Sequence, residues 1–290
     1  IGVFTNLSHD HLDFHGSMER YIKAKSRLFT EYLRPKGNGV RALAWGADPA
    51  LPEMQVPEDV WTYGFQEQYD FFIRSVQLGS EGMDLMVHTP LGTTSFSVPL
   101  IGRFNALNAV AALGIGVLLG IPLQEMANAI GCAKGAPGRM ERVGAVDGLT
   151  VVVDYAHTPD ALRGALLSLR ELTQGRVGVV FGCGGDRDRE KRPVMGRIAE
   201  ELADFVVLTS DNPRSESPER IIEDILSGFD SSPKHVEVAR EDAIAWSIQH
   251  GRDGDLLLIA GKGHETYQEI EGTRYPFDDR VVALKAMGVQ

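Results

Sequence analysis

One rhythm dominates the second half of the chain. Apolar, β-rich runs occur at Leu149–Val153, Val177–Phe181, Phe205–Leu208, Val236–Ala239 and Leu256–Ala260. Helical patterns lie between them at Pro159–Leu172, Pro193–Leu202, Pro218–Ser227 and Glu241–His250. Strands that alternate with helices at this spacing pair in parallel, and near-continuous apolar strands are those buried on both faces. The pattern predicts a parallel, doubly wound α/β sheet.

The first half is less regular. Ile1–Leu7 reads as the end of a strand, and Ser17 as the N-cap of a helix running to about Leu33. Pro35-Lys-Gly-Asn-Gly39 stops that helix, and Val40–Trp45 is a short buried strand. Between Asp70 and Pro99, alternating runs separated by Gly-containing turns predict antiparallel hairpins. Phe104–Leu119 and Leu123–Ile130 read as helices, and Gly135-Ala-Pro-Gly138 as a linker. A length of 290 residues fits one large domain or two ordinary ones.

Polar, glycine-rich sequence follows each of four strand runs at once. Val153 is followed by DYAHTPD, Phe181 by GCGGDRDREKRP, Leu208 by TSDNPR and Ala260 by GKGHE. Ligands of open α/β sheets bind at the carboxyl ends of the strands. Asp154, His157, Arg187, Asn212, Arg214, Lys262 and Glu265 are therefore expected on one rim. Any single loop of this kind is also ordinary turn chemistry. The rim is mixed in sign. Arg187 and Arg214 can each grip a carboxylate, and Glu265 can hold an ammonium. That set suits an amino acid better than a polyphosphate.

Two N-terminal features carry chemistry. His9-Asp-His11-Leu-Asp13-Phe-His15 is dense enough in imidazole and carboxylate to hold a divalent cation, though such clusters also arise as caps and surface residues. Helical spacing places Lys25 within the apolar stripe of Met18, Tyr21, Ile22, Leu28, Phe29 and Tyr32. A lysine there either snorkels or is a buried amine of depressed pKa, able to take up carbon dioxide as a carbamate.

The formal net charge of −11 disfavours nucleic acid and anionic membranes as partners. Two widely spaced cysteines, Cys132 and Cys183, argue against a disulfide framework and fit a reducing cytoplasm. No apolar run reaches membrane-spanning length. G-x-x-x-x-G-K-[ST] does not occur, so if the protein uses ATP, the phosphate cradle is expected upstream of Ile1.

Seven blocks occur here in the order of the Mur ligase family, which the chain resembles over essentially its whole length. They are TNLSHDHLDFHGSMERYIKAK, RFNALNAVAAL, GRMERV, VVVDYAHTPDAL, FGCGGDRDREKRPVMG, SDNPR and AGKGHE. The resemblance implies the rear part of a P-loop-type ATPase central domain over residues 1–137. A Rossmann-like C-terminal domain over residues 138–290 follows it. It implies a cytoplasmic, ATP- and Mg²⁺-dependent amide ligase of peptidoglycan synthesis. Lys25 resembles the family's carbamylated lysine, and His11 the histidine sharing Mg²⁺ with that carbamate. Asn105 resembles the residue beside adenine, Arg139 the one reaching the ATP phosphates, and Asp154 the carboxylate on the ribose. Arg187, Asp211, Asn212, Pro213, Arg214, Gly261 and Glu265 resemble the pocket for the incoming amino acid. In the family the DNPR block accompanies meso-diaminopimelate, added to a UDP-N-acetylmuramoyl dipeptide. The resemblance also implies that the chain alone, without the first domain and P-loop, is inactive. The alternatives are a lysine-adding relative, a ligase acting on folate or another acidic acceptor, and a non-catalytic amino-acid-binding module.

Overall fold

The computed structural model describes residues 1–7, 12–33, 42–79 and 81–289, with residues 12 and 13 described by backbone only. The expected helix stop at Pro35–Gly39, together with His9 and His11, lies outside the described residues. The chain divides into two compact units, Ile1–Lys134 and Gly135–Gln290.

The first unit is built on a six-stranded sheet. Its strands are β1 (Gly2–Phe4), β2 (Ala42–Trp45), β3 (Trp61–Gly64), β4 (Phe71–Gly79), β5 (Gly82–Thr89) and β6 (Gly92–Val98), in that spatial order. The pairs from β1 to β4 are parallel, and β4, β5 and β6 form an antiparallel meander. Met83, Leu85, Val87 and Thr89 on β5 are buried while the residues between them are not, as a strand with one covered face requires. The covered face packs against Ala106, Val110 and Leu113 of α3 (Arg103–Leu118), which α4 (Leu123–Gly131) follows.

Near the N-terminus the chain forms α1 (Leu12–His15) and α2 (Met18–Arg27), the latter capped by the Ser17 hydroxyl on the Arg20 N–H. The expected single helix to Leu33 is not observed. The α-helix ends at Arg27, and Leu28–Tyr32 continue in a wider π-helical turn. That turn changes the phase of the side chains. The buried positions become Tyr21, Ser26 and Phe29, while Tyr32 is 70% exposed. Lys25 lies before that turn and is exposed, the outcome of a snorkelling lysine and not of a buried amine.

The second unit contains β7 (Glu141–Val146), β8 (Leu149–Asp154), α5 (Pro159–Arg170), β9 (Val177–Phe181), α6 (Lys191–Leu202), β10 (Phe205–Leu208) and α7 (Pro218–Leu226). There follow β11 (His235–Val236), α8 (Arg240–Gln249), β12 (Leu256–Ala260), β13 (Tyr267–Ile270), β14 (Thr273–Pro276) and α9 (Asp279–Ala286). The sheet order is β11-β10-β9-β12-β8-β7. All pairs are parallel except β7 with β8. Every residue of β9, β10 and β12 is buried, which is why these strands read as unbroken apolar runs. Thr158, Ser217 and Asp278 cap α5, α7 and α9 through their side chains. The expected strand at Val236–Ala239 is shorter, at His235–Val236, because Ala239 is already the N-cap of α8.

Candidate functional site

The carboxyl ends of β8, β9, β12 and β10 are neighbours in the sheet, so the four polar loops meet at one edge. Two glycines show how closely. A Cβ on Gly185 would overlap the Pro213 carbonyl, and the Gly185 N–H donates to the Asn212 carbonyl at 2.9 Å. Gly261 has φ +116°, and a Cβ there would overlap the Asp211 carboxylate. Only glycine meets both demands, a left-handed backbone and a side chain at contact distance.

A buried polar triangle fixes the centre of this edge. Lys262 is fully buried, and its Nζ donates to Asn212 Oδ1 at 3.0 Å and Glu265 Oε2 at 3.3 Å. Asn212 Nδ2 donates to the same Oε2 at 2.8 Å, and Asn212 Oδ1 also accepts the Glu269 N–H at 2.9 Å. These bonds to Glu265 all use Oε2. Lys262 is thus a buried structural cation and not a solvent-facing member of the rim.

Arginines flank the triangle. Arg214 has φ +52°, donates from Nη1 to the Gly185 carbonyl at 2.8 Å and keeps 21% of its side chain exposed. Arg187 is exposed. A Cβ on Gly184 would lie 3.0 Å from Arg214 Nη1 and 3.8 Å from Arg187 Cγ, so the two side chains converge over Gly184. A carboxylate entering there would meet the Arg214 guanidinium beside the Arg187 side chain, with Glu265 bonded to Asn212 of the same loop, the mixed-sign arrangement an amino acid needs.

One supporting residue escaped the sequence reading. Arg240 is completely buried and paired in a two-pronged fork with Asp279, Nε to Oδ1 at 2.7 Å and Nη2 to Oδ2 at 2.8 Å. It also donates to the carbonyls of Ser210 at 3.3 Å and Ala260 at 2.9 Å, the residues that launch the loops after β10 and β12. Arg192, also buried, ties Glu216 and Asp224 to the Gly184 carbonyl.

Asp154 ends β8, and its Oδ2 accepts the Met140 N–H at 2.7 Å. Burial pushes its carboxyl pKa up, against the lowering effect of that bond and of Arg139. Arg139 itself is exposed and lies over the Tyr155 ring, 4.6 Å from the centroid. A carboxyl whose folded-state pKa is raised contributes stability that is complete below its unfolded pKa and lost as pH rises through the folded value. At neutral pH ionised Asp154 is therefore a cost to the fold. Asp154→Asn, whose carbonyl can keep the Met140 bond, is expected to raise the melting temperature at pH 7. The advantage should shrink as pH falls toward about 4, the ordinary carboxylate range. Thermal melts at both pH values check this, and a variant that melts lower at pH 7 would contradict it.

In the first unit, Lys25 lines a groove of about 330 Å³ with Val3, Phe4, Thr5, Asn6, Ala24, Leu28 and Tyr32. Its amine lies 5.5 Å from the Tyr21 ring centroid. Asn105 is buried in the first turn of α3, where Nδ2 donates to the Ile101 carbonyl at 2.7 Å and Oδ1 accepts from Asn108 at 2.9 Å. Among the described residues, no group of three or more His, Cys, Asp or Glu is placed to hold a metal ion. Among them, too, no helix is long and apolar enough to cross a membrane.

Residues 1–116 match the Mur ligase middle domain, and residues 138–263 match the Mur ligase, glutamate ligase domain. The chain belongs to the Mur ligase family. It is 47% identical over 294 residues to the UDP-N-acetylmuramoyl-L-alanyl-D-glutamate--2,6-diaminopimelate ligase of Thermosynechococcus vestitus, covering 99% of this chain and 58% of that protein. The ligase of the same name from Gloeobacter violaceus is 48% identical, covering 98% and 58%. The chain thus spans about 58% of the length of these relatives. A solved structure of a ligase of that name aligns at TM-score 0.66 and 38% identity, over 99% of this chain and 59% of that one. Folylpolyglutamate synthase of Mycobacterium tuberculosis, complexed with ADP and AMPPCP, aligns at TM-score 0.71 and 22% identity over 99% and 64%, a likeness of fold.

Proposed function

We propose that the chain carries the amino-acid site, and part of the nucleotide site, of a cytoplasmic ATP-dependent ligase that adds meso-diaminopimelate to UDP-N-acetylmuramoyl-L-alanyl-D-glutamate. The observation that carries this reading is the convergence of Arg187 and Arg214 over Gly184, beside the Asn212–Lys262–Glu265 triangle. Diaminopimelate is lysine with a second carboxylate at its far end. Arg214 takes that carboxylate, with Arg187 beside it. Glu265, oriented by Asn212 and Lys262, holds an ammonium, and Asp211, Pro213 and Gly261 shape the wall. Similarity to ligases named for 2,6-diaminopimelate supports the same substrate.

In this reading residues 1–137 belong to the ATPase domain and residues 138–290 form the amino-acid-adding domain. Asn105 lies beside adenine, Asp154 holds the ribose hydroxyls and Arg139 reaches the phosphates. ATP activates the γ-carboxylate of the acceptor's D-glutamate as an acyl phosphate. The amine held at the rim attacks the acyl carbon, and the tetrahedral adduct collapses to amide and phosphate. The protein's part is positioning and charge stabilisation. Mur ligases use Mg²⁺, which neutralises charge on a transferring phosphoryl group when bound. The groove at Lys25 is half apolar, with Thr5, Asn6 and Tyr32 as its neutral oxygen donors. A carbamate on Lys25 would add the anionic oxygens a hard cation prefers. His11 is the proposed further ligand.

Calorimetric titration of this chain tests the reading. Meso-diaminopimelate should bind, and L-lysine should bind at least ~10-fold more weakly, because it lacks the second carboxylate that forms the charge-assisted pair with Arg214. Equal binding, lysine preference, or heat from neither ligand would overturn it.

A further inference from the structure

The hairpin of β13 and β14 lies outside the four loops that define the rim, yet it is bonded to DNPR along its length. Gln268 Nε2 donates to the Asp211 carbonyl at 2.7 Å. The Glu269 N–H donates to Asn212 Oδ1 at 2.9 Å, and the Glu269 carbonyl accepts the Arg214 N–H at 3.0 Å. The Glu271 N–H donates to the Arg214 carbonyl at 2.7 Å. The last two bonds bridge Arg214 to Ile270 and hold Arg214 in a left-handed conformation that non-glycine residues seldom adopt.

The side chains add a charge arrangement. Glu269 Oε2 lies 3.9 Å from Arg214 Nε and 3.7 Å from Arg274 Nε. Neither distance is a hydrogen bond. Two guanidinium groups share one carboxylate loosely, so the three groups together carry one uncompensated positive charge. Arg274 is steadied in this position by the Tyr267 ring, 4.4 Å from its guanidinium carbon. Asp186, another acid whose charge Arg214 feels, is committed to Ser215 by bonds to its N–H at 3.1 Å and its hydroxyl at 2.7 Å.

We propose that Glu269 and Arg274 are positioning residues that set the amino-acid specificity of Arg214. Arg274 draws the Glu269 carboxylate partly away from Arg214 and keeps that guanidinium open to the distal carboxylate of a diamino-dicarboxylate. Without Arg274, Glu269 closes on Arg214, and an incoming carboxylate must displace an intimate ion pair. A ligand with no distal carboxylate, such as lysine, is indifferent to this competition. The inference rests on the reading that Arg214 receives the distal carboxylate.

The test is calorimetry on the 290-residue chain with meso-diaminopimelate and L-lysine as probes. Arg274→Met is expected to weaken diaminopimelate binding ~10-fold and leave lysine unchanged, whereas Arg274→Lys, which keeps the charge, stays within about threefold of the parent. Adding Glu269→Gln to Arg274→Met should restore diaminopimelate binding to within about twofold of the parent, since the amide keeps every backbone bond and removes only the competing charge. Three results would overturn the inference. Arg274→Met could be silent, it could weaken both ligands alike, or the double variant could stay as weak as the single one because Arg274 touches the ligand itself. Failure of the parent to bind diaminopimelate, or full binding by an Arg214 variant, would instead sink the underlying site reading and the inference with it.

Discussion

Arg214→Met is expected to weaken meso-diaminopimelate binding by about 100-fold while changing lysine binding by less than about threefold. Arg214 is four-fifths covered, so a carboxylate paired with it is largely out of water, where charge-assisted forks are strongest. Removing one partner of such a pair costs about 2–5 kcal/mol, much of it the penalty of stranding the other charge. Methionine suits the test because any non-glycine residue at φ +52° bears the same backbone strain, so none is added. The bond from Arg214 Nη1 to the Gly185 carbonyl is also lost, at a cost to the fold of about 1 kcal/mol. A thermal melt beside the calorimetry separates that loss from the binding effect. Diaminopimelate affinity within threefold of the parent would show that the distal carboxylate binds elsewhere.

The sequence made the sheet of the second unit legible because β9, β10 and β12 are buried on both faces and so are written in apolar residues alone. Edges were harder. β7 is half-exposed, and its pairing with β8 shifts register between Arg142 and Gly144, which breaks the two-residue alternation. β14 is exposed throughout and carries no burial signal at all. The hairpin that holds Arg214 was therefore not visible, although the DNPR loop it grips was.

Charged residues failed in the same direction. Lys262 was expected on the open rim and Arg240 was not singled out, since such side chains are seldom fully buried without partners. Their partners are fixed by the fold: Asp279 is 39 residues from Arg240, and Asn212 is 50 residues from Lys262. No local pattern records such a pairing. At Tyr32 the difficulty was phase. A helical wheel assumes 3.6 residues per turn throughout, and the π-helical turn after Arg27 moves Tyr32 out of the stripe on which the wheel depends.

Asp279→Ala is expected to destabilise the second unit by about 3–5 kcal/mol, because it leaves the fully buried Arg240 guanidinium without its counter-charge. For a unit of this size that lowers the melting temperature by roughly 6–20 °C. An arginine guanidinium holds its proton at any working pH, so it does not escape the penalty by losing it. A double replacement, Arg240→Met with Asp279→Leu, should behave differently. It exchanges the pair for apolar groups of similar volume, a change that is often neutral or favourable to stability. Most of the lost melting temperature should return. Amino-acid binding should not return, because the bonds from Arg240 to the Ser210 and Ala260 carbonyls are gone, and with them the restraint on the loops that present Asn212 and Glu265. Melting and calorimetry on the single and double variants decide the matter. If the double variant recovers both stability and binding, Arg240 is only a stability element. Recovery of stability alone would show that a buried ion pair is held at this edge to aim the loops of the site.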